Sequence, residues 1–339
     1  MPRLTQSILN LTRLTSLSTR VLANVPFTAT GLVQRPPTYT LPAYSVGVAG
    51  YFGGGSDGTT PISGIDKITF PADTKTTLSA TLASARYALA GMANSSVAGY
   101  FGGGTTTVPI TAIAKVTFPA DTIATLSATL TTVVTYLAGM ANSGVAGYFG
   151  GGSDGGGNIF SGIDKITFPA DTKTTLSVGL PTGRYYVGAM ANSGVAGYIG
   201  GGIDTAAIVN TITKVTFPAD TITTLSDTLT TVRYSPAGMA NSGVAGYFGG
   251  GGTPNTSGID KITFPADTKT TLSATLTTAR RLVAGMANSS VAGYFGGGLD
   301  TVNISGIDRI TFPADTKTTL SATLTTAREQ SAGMADGGI

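Results

Sequence analysis

Six carboxylates recur at one place in a repeating sequence: Asp73, Asp121, Asp171, Asp220, Asp267 and Asp315, each inside Pro-Ala-Asp-Thr. Four more, Asp66, Asp164, Asp260 and Asp308, each follow Gly-Ile. Paired carboxylates can cleave a glycosidic bond or hold a cation. A carboxylate repeated in every copy suits a turn better, because Asp accepts local backbone hydrogen bonds there. Glu329 is the single glutamate, and the chain has no His and no Cys. Imidazole bases and thiolate nucleophiles are therefore excluded, as are zinc and copper sites built on those ligands. The Ser-Asp-Gly stretches at 56–58 and 153–155 would hold Ca²⁺ only with oxygen ligands from further segments. Glycine runs at 53–55, 150–152 and 249–252 could suggest phosphate cradles. No Lys-Ser/Thr follows them on a helix and no GxGxxG opens one, so they read as strand ends and turns. The expectation is a chain with no enzymatic activity, no cofactor and no metal.

The elements that carry these residues come from a repeat. Tyr51, Tyr100, Tyr148, Tyr198, Tyr247 and Tyr294 each sit in YFGGG or YIGGG, 47 to 50 residues apart. One period holds an apolar run ending in glycines (VAGYFGG), an alternating segment (KITF), a PADT turn, a Thr-rich segment (KTTLSATL) and a small-residue segment (AGMAN). That is four strand-length pieces with turn signals between them, and no sustained helical period. Four strands repeated at this spacing predict a β-propeller of six blades. Radial stacking buries both faces of each sheet and closing the ring protects the edges. The last copy ends on AGMADGG, which matches the AGMAN segment leading into the other copies. The C-terminal strand is therefore expected to complete the first blade. A strand from 41–45 is the alternative. Met92, Met140, Met190, Met239, Met286 and Met334 fall in the inner segment and are expected between blades or along the channel.

Two stretches differ from copy to copy. One is the loop after the glycines, as in SDGTTPIS, SDGGGNIFS and GTPNTS. The other follows the Thr-Ala-Arg position and holds Arg86 and Tyr87, Tyr136, Arg184 with Tyr185 and Tyr186, Arg233 with Tyr234, Arg280 with Arg281, and Arg328. Rigid amphipathic rings and forked donors are what a carbohydrate or protein contact surface uses. These residues form the expected binding surface. The rival reading is drift of loops that packing constrains little, although the first Arg belongs to the repeat in five of six copies.

The pattern of VAGYFGGG, then DKITFPADTKTTLSATL, then TTAR before a small-residue strand resembles the kelch repeat over residues 47–339. The chain departs from it in having no Trp, with Leu near that position, and in Val134 where the second copy would carry Arg. The near-identical GYFGGG…ITFPADTKTTLSATLTTAR units also resemble repeats of bacteriophage structural proteins, particularly from phages of cyanobacteria and other aquatic bacteria. That likeness implies a location on the virion, in a tail or other external appendage. It also implies an N-terminal segment that docks or trimerises on other virion proteins and a propeller that faces out toward a host-surface glycan or protein.

Residues 1–44 stand outside the repeats. Leu4, Ile8, Leu9, Leu11, Leu14, Leu17, Val21 and Leu22, with Arg3, Arg13, Arg20 and no acid, are compatible with a short amphipathic helix. No unbroken apolar core follows the positive start, against a signal peptide, while the Arg-, Ser- and Thr-rich composition also fits a transit peptide. Pro26, Pro36, Pro37 and Pro42 mark an extended linker. The expected division is an anchoring or oligomerising arm at 1–44 and an all-β, six-bladed, kelch-like propeller at 45–339. The net charge of +3 is an arm property, since four arginines and no acids lie before residue 47. The propeller thus has no basic signature of a nucleic-acid binder. No apolar stretch is long enough for membrane insertion as a helix.

Three functions fit. The first is a tail-fibre or receptor-binding appendage, the second a capsid or baseplate decoration protein. The third is a cellular kelch-type scaffold or sugar-modifying enzyme, and a lone glutamate weighs against the enzyme.

Overall fold

The computed structural model describes residues 49–337. The arm and linker expected at 1–44, and the alternative closing segment at 41–45, lie outside the described residues. Among the described residues there is no helix, and the strands form six four-stranded antiparallel sheets. Each sheet is a blade, and the inner strands of neighbouring blades touch in a closed cycle. The protein is a six-bladed β-propeller.

The first blade is closed as the sequence predicted. Its inner strand is Ala332–Ala335, which pairs with Ala49–Gly53, placing Met334 opposite Tyr51. Ile65–Thr69 and Thr74–Thr77 complete that sheet. The other blades repeat the order without a break in the chain. In the second blade these are Ala90–Asn94, Ala98–Gly102, Ala112–Thr117 and Thr122–Thr129.

Both faces of each blade are covered, which is why AGYFG is apolar throughout rather than alternating. Every residue of Ala98–Gly102 is buried, while Thr74–Thr77 at the outer edge is largely exposed. The inner strands leave so little room that a Cβ at Gly91 would overlap the Gly333 carbonyl oxygen. The methionines fill the seams rather than the channel. Met92 is fully buried, and its Sδ lies where a Cβ on Gly147 of the next blade would stand, beside Phe168.

The repeated Asp of the turn has two roles. Its backbone adopts the left-handed conformation, with φ of 55° at Asp73 and 56° at Asp121, which Asp tolerates better than most residues. Its side chain also latches the preceding blade. The Tyr51 hydroxyl donates to Asp121 Oδ1 at 2.8 Å and Lys67 Nζ to Oδ2 at 2.6 Å. The Tyr51 ring stacks on Phe118 at 5.1 Å between centroids. The same contacts run through each seam to Tyr294, which stacks on Phe70 and donates to Asp73. Such stacking adds about 0.5–1.5 kcal/mol per pair beyond the buried area. Burial, then the hydrogen bond to Asp121, pushes the Tyr51 phenol far above its ordinary pKa, so it remains a donor.

Candidate functional site

The two stretches that vary in sequence meet on one face. In every blade a residue of the glycine loop forms a β-bridge with the residue after the Arg position: Ser56 with Glu329, Thr105 with Tyr87, Ser153 with Thr135, Ile203 with Tyr185, Gly252 with Tyr234, and Leu299 with Arg281. The opposite face carries the PADT turns and the Asn-Ser turns, which barely change between copies. There Ser95 N donates to Ser143 Oγ, Ser143 N to Ser193 Oγ, and so on to Ser289.

At the axis of the variable face, one residue per blade is left-handed: Ala88, Tyr136, Tyr186, Ser235, Leu282 and Gln330, with φ between 51° and 57°. This conformation costs roughly 1–2 kcal/mol for a residue with a side chain. It is offset by a ring of backbone hydrogen bonds between blades. Tyr136 N donates to Ala88 O at 2.8 Å, Tyr186 N to Tyr136 O at 3.0 Å, and Ser235 N to Tyr186 O at 2.6 Å. Gln330 N donates to Leu282 O and Ala88 N to Gln330 O, giving five of the six steps. The backbone at this mouth is therefore constant while its side chains differ.

The sequence-predicted residues separate into two sets. The five arginines at the repeat position, Arg86, Arg184, Arg233, Arg280 and Arg328, are 1–3% exposed. They lie inside the fold, which corrects the expectation that they face a ligand. Arg328 donates to the Gly54 and Gly64 carbonyls and to Asp66, so the connector is riveted onto the next blade. Arg233 and Arg280 have the same partner type in Asp260 and Asp308, at 2.6 and 3.0 Å. Burial would raise the Asp66 carboxyl, but the Thr325 hydroxyl and the Arg328 charge overcome it and hold it below the usual range. Arg86 meets only carbonyls and Arg184 carbonyls and threonine hydroxyls, and burial pushes each guanidinium down to about 10.

The tyrosines belong to the surface. Tyr136, Tyr185, Tyr186 and Tyr234, from three connectors, form one aromatic cluster. Tyr136 and Tyr186 centroids are 3.7 Å apart, Tyr185 and Tyr186 5.0 Å, and Tyr234 meets Tyr186 edge-on at 5.4 Å. Burial, then the hydrogen bond to Tyr136, pushes the Tyr186 phenol far up. Tyr87 pairs through its backbone with Thr105, and Arg281 donates to Asn255 Oδ1 at 3.0 Å. A cavity of about 350 Å³ opens against the cluster, lined by Tyr136, Tyr185, Tyr186, Ser153, Gly155, Gly157 and Ile159. Cavities of about 90 and 80 Å³ on the axis have room for only a few waters. The loop residues Ser153 and Ile159 escaped the sequence-based site, although their loop, SDGGGNIFS, was legible as a variable stretch.

The connector that carries Tyr136 departs from the repeat underneath. Val134 replaces the arginine, and a cavity of about 100 Å³ remains, lined by Val134, Gly151, Gly162 and Asp164 among others. These match Gly54, Gly64 and Asp66, which Arg328 grips in the first blade. Among the described residues no three of Asp, Glu, His or Cys gather as a metal site. No family model matches the chain, and no curated protein does.

Proposed function

We propose that this chain is a non-enzymatic adhesion module that meets its ligand with the variable face of the propeller. The observation that carries the reading is the sorting of variation. Copy-to-copy differences collect on one face, over a backbone held constant by the left-handed ring. A rigid frame with interchangeable side chains loses little entropy on binding. The kelch-like blade pattern and the likeness to phage repeats supply the setting. In it the protein is an external virion appendage, attached through residues 1–44 to other virion proteins and turned toward a host-surface glycan or protein.

Gold labelling of intact particles with an antibody to the propeller tests the setting. Label at the tail or baseplate periphery is expected. Label over the capsid would replace adhesion with decoration, and absence of label from particles would remove the virion reading. Binding of the full chain to an array of bacterial surface polysaccharides tests the face. Binding should fall with substitutions at the variable face and ignore Ser143→Ala on the opposite one.

A further inference from the structure

We infer that the tyrosine cavity over the third blade, between the connectors that enter the third and fourth blades, binds one uncharged pyranose of a surface glycan. The inference rests on the adhesion reading and narrows it to a place and a ligand class.

Size selects this cavity first. Small-molecule sites occupy roughly 300–1,000 Å³, and about 350 Å³ suits a single sugar ring with its neighbours left in solvent. Wall chemistry selects the ligand. Tyr136, Tyr185 and Tyr186 offer flat rings, and Ile159 an apolar edge. The C–H face of a pyranose carries slight positive charge, which the negative face of an aromatic ring attracts. Phenol and serine hydroxyls can then exchange hydrogen bonds with the sugar hydroxyls.

Charge narrows the class. The lining holds no Lys or Arg. The buried Arg184 nearby is committed to Gly201, Thr211 and Thr213. Asp154 lies on the loop that walls the cavity. Asn158 Nδ2 and the Gly156 and Asn158 amides donate to it and hold its carboxyl below the usual range. A sialic or uronic acid would bring a carboxylate to a site with no cation and a fixed anion beside it.

The platform is also built in advance. Tyr136 and Tyr186 are both left-handed, both joined to the axial hydrogen-bond ring, and packed on each other. Little rotamer freedom is left to lose when a sugar stacks there.

The test is saturation-transfer NMR on the full chain. The neutral probes are methyl α-D-glucopyranoside, methyl α-D-mannopyranoside, methyl β-D-galactopyranoside and N-acetylglucosamine; the anionic probes are N-acetylneuraminic acid and glucuronic acid. At least one neutral probe should receive saturation, strongest on the protons of one ring face, with the anionic probes much weaker. Tyr185→Ala should weaken that binding about tenfold or more. Tyr185→Leu, which keeps apolar bulk without a π-face, should do the same if the alanine variant folds poorly. Tyr87→Ala, at a neighbouring connector residue that does not line the cavity, should change affinity by less than about twofold. The inference is overturned if no neutral pyranoside binds, if the acids bind as well, or if both Tyr185 variants bind normally. Polysaccharide binding that survives in both Tyr185 variants but is lost with Tyr87→Ala or changes in the 57–60 loop would remove this cavity and leave the adhesion face standing. Binding insensitive to every change on that face would remove both.

Discussion

The connector that closes the ring and the connector that enters the third blade are built on one plan and end differently. At the closure, Arg328 fills its socket and joins Asp66, which also takes the Thr325 amide and hydroxyl and the Thr77 hydroxyl. At the third blade, Asp164 takes the equivalent Thr131 amide and hydroxyl and the Thr175 hydroxyl, but Val134 leaves the guanidinium's place empty. The first seam is a rivet. The second keeps the threonine half of the rivet and carries the tyrosine cavity above it. The repeat's stabilising device is separable from its backbone geometry: the bridge of Thr135 to Ser153 and the left-handed Tyr136 persist without the arginine.

Removing each carboxylate tests that contrast most severely. Asp66→Ala strands a buried guanidinium and should cost about 3–5 kcal/mol, read as a lower urea midpoint. Asp164→Ala strands hydroxyl and amide donors and a partly exposed Lys173 ammonium 3.7 Å away, but no buried guanidinium, and should cost about 1–3 kcal/mol. Equal losses would mean that the arginine adds nothing to the closure. The Asp66 term also has a pH signature. Its folded pKa lies below the unfolded value of about 3.9, so its contribution is complete above that region and is lost as acid protonates the folded carboxyl. The wild-type advantage over Asp66→Ala should shrink accordingly in acid.

The missing rivet can also be restored. Val134→Arg should place a guanidinium in the cavity of about 100 Å³ against Asp164 and the carbonyls of Gly151 and Gly162. A gain of about 1.5–3 kcal/mol in unfolding free energy is expected, the range for hydrogen bonds to charged groups. A loss would show that the third-blade socket has closed to a different shape.

The smallest effect lies at the closure's own rim. Glu329 is half-buried, its Oε2 has no protein partner, and burial raises its carboxyl against the pull of Arg281. Because the folded pKa is raised, the ionised form burdens the fold at neutral pH, and the burden vanishes below the unfolded value of about 4.3. Glu329→Gln should raise the melting temperature by about 1–3 °C at pH 7 and leave it unchanged below about pH 4. A gain that persists in acid would assign the effect to packing rather than charge.

Much of the fold was legible in the sequence because a propeller is a local pattern copied. The tyrosine spacing, the glycine runs and the AGMADGG ending each have one economical arrangement, and the ring closes as they require. The arginines were misplaced because a connector reads as a loop, and its sequence does not say whether it lies in solvent or docks on the next blade. Their presence in five of six copies was the available signal, since a residue kept by the repeat serves the repeat.

The number of blades, the order of strands and the positions that vary can be read from one chain, because period, turn chemistry and hydrophobic runs act within about fifty residues. That the two variable stretches share one face, that Tyr136, Tyr185 and Tyr186 meet although they come from different copies, and that Asp73 and its equivalents latch neighbouring blades emerges once the blades are stacked. Each of these depends on which blade stands beside which and at what angle. Those contacts are set by stacking around the axis, and no single repeat contains both partners.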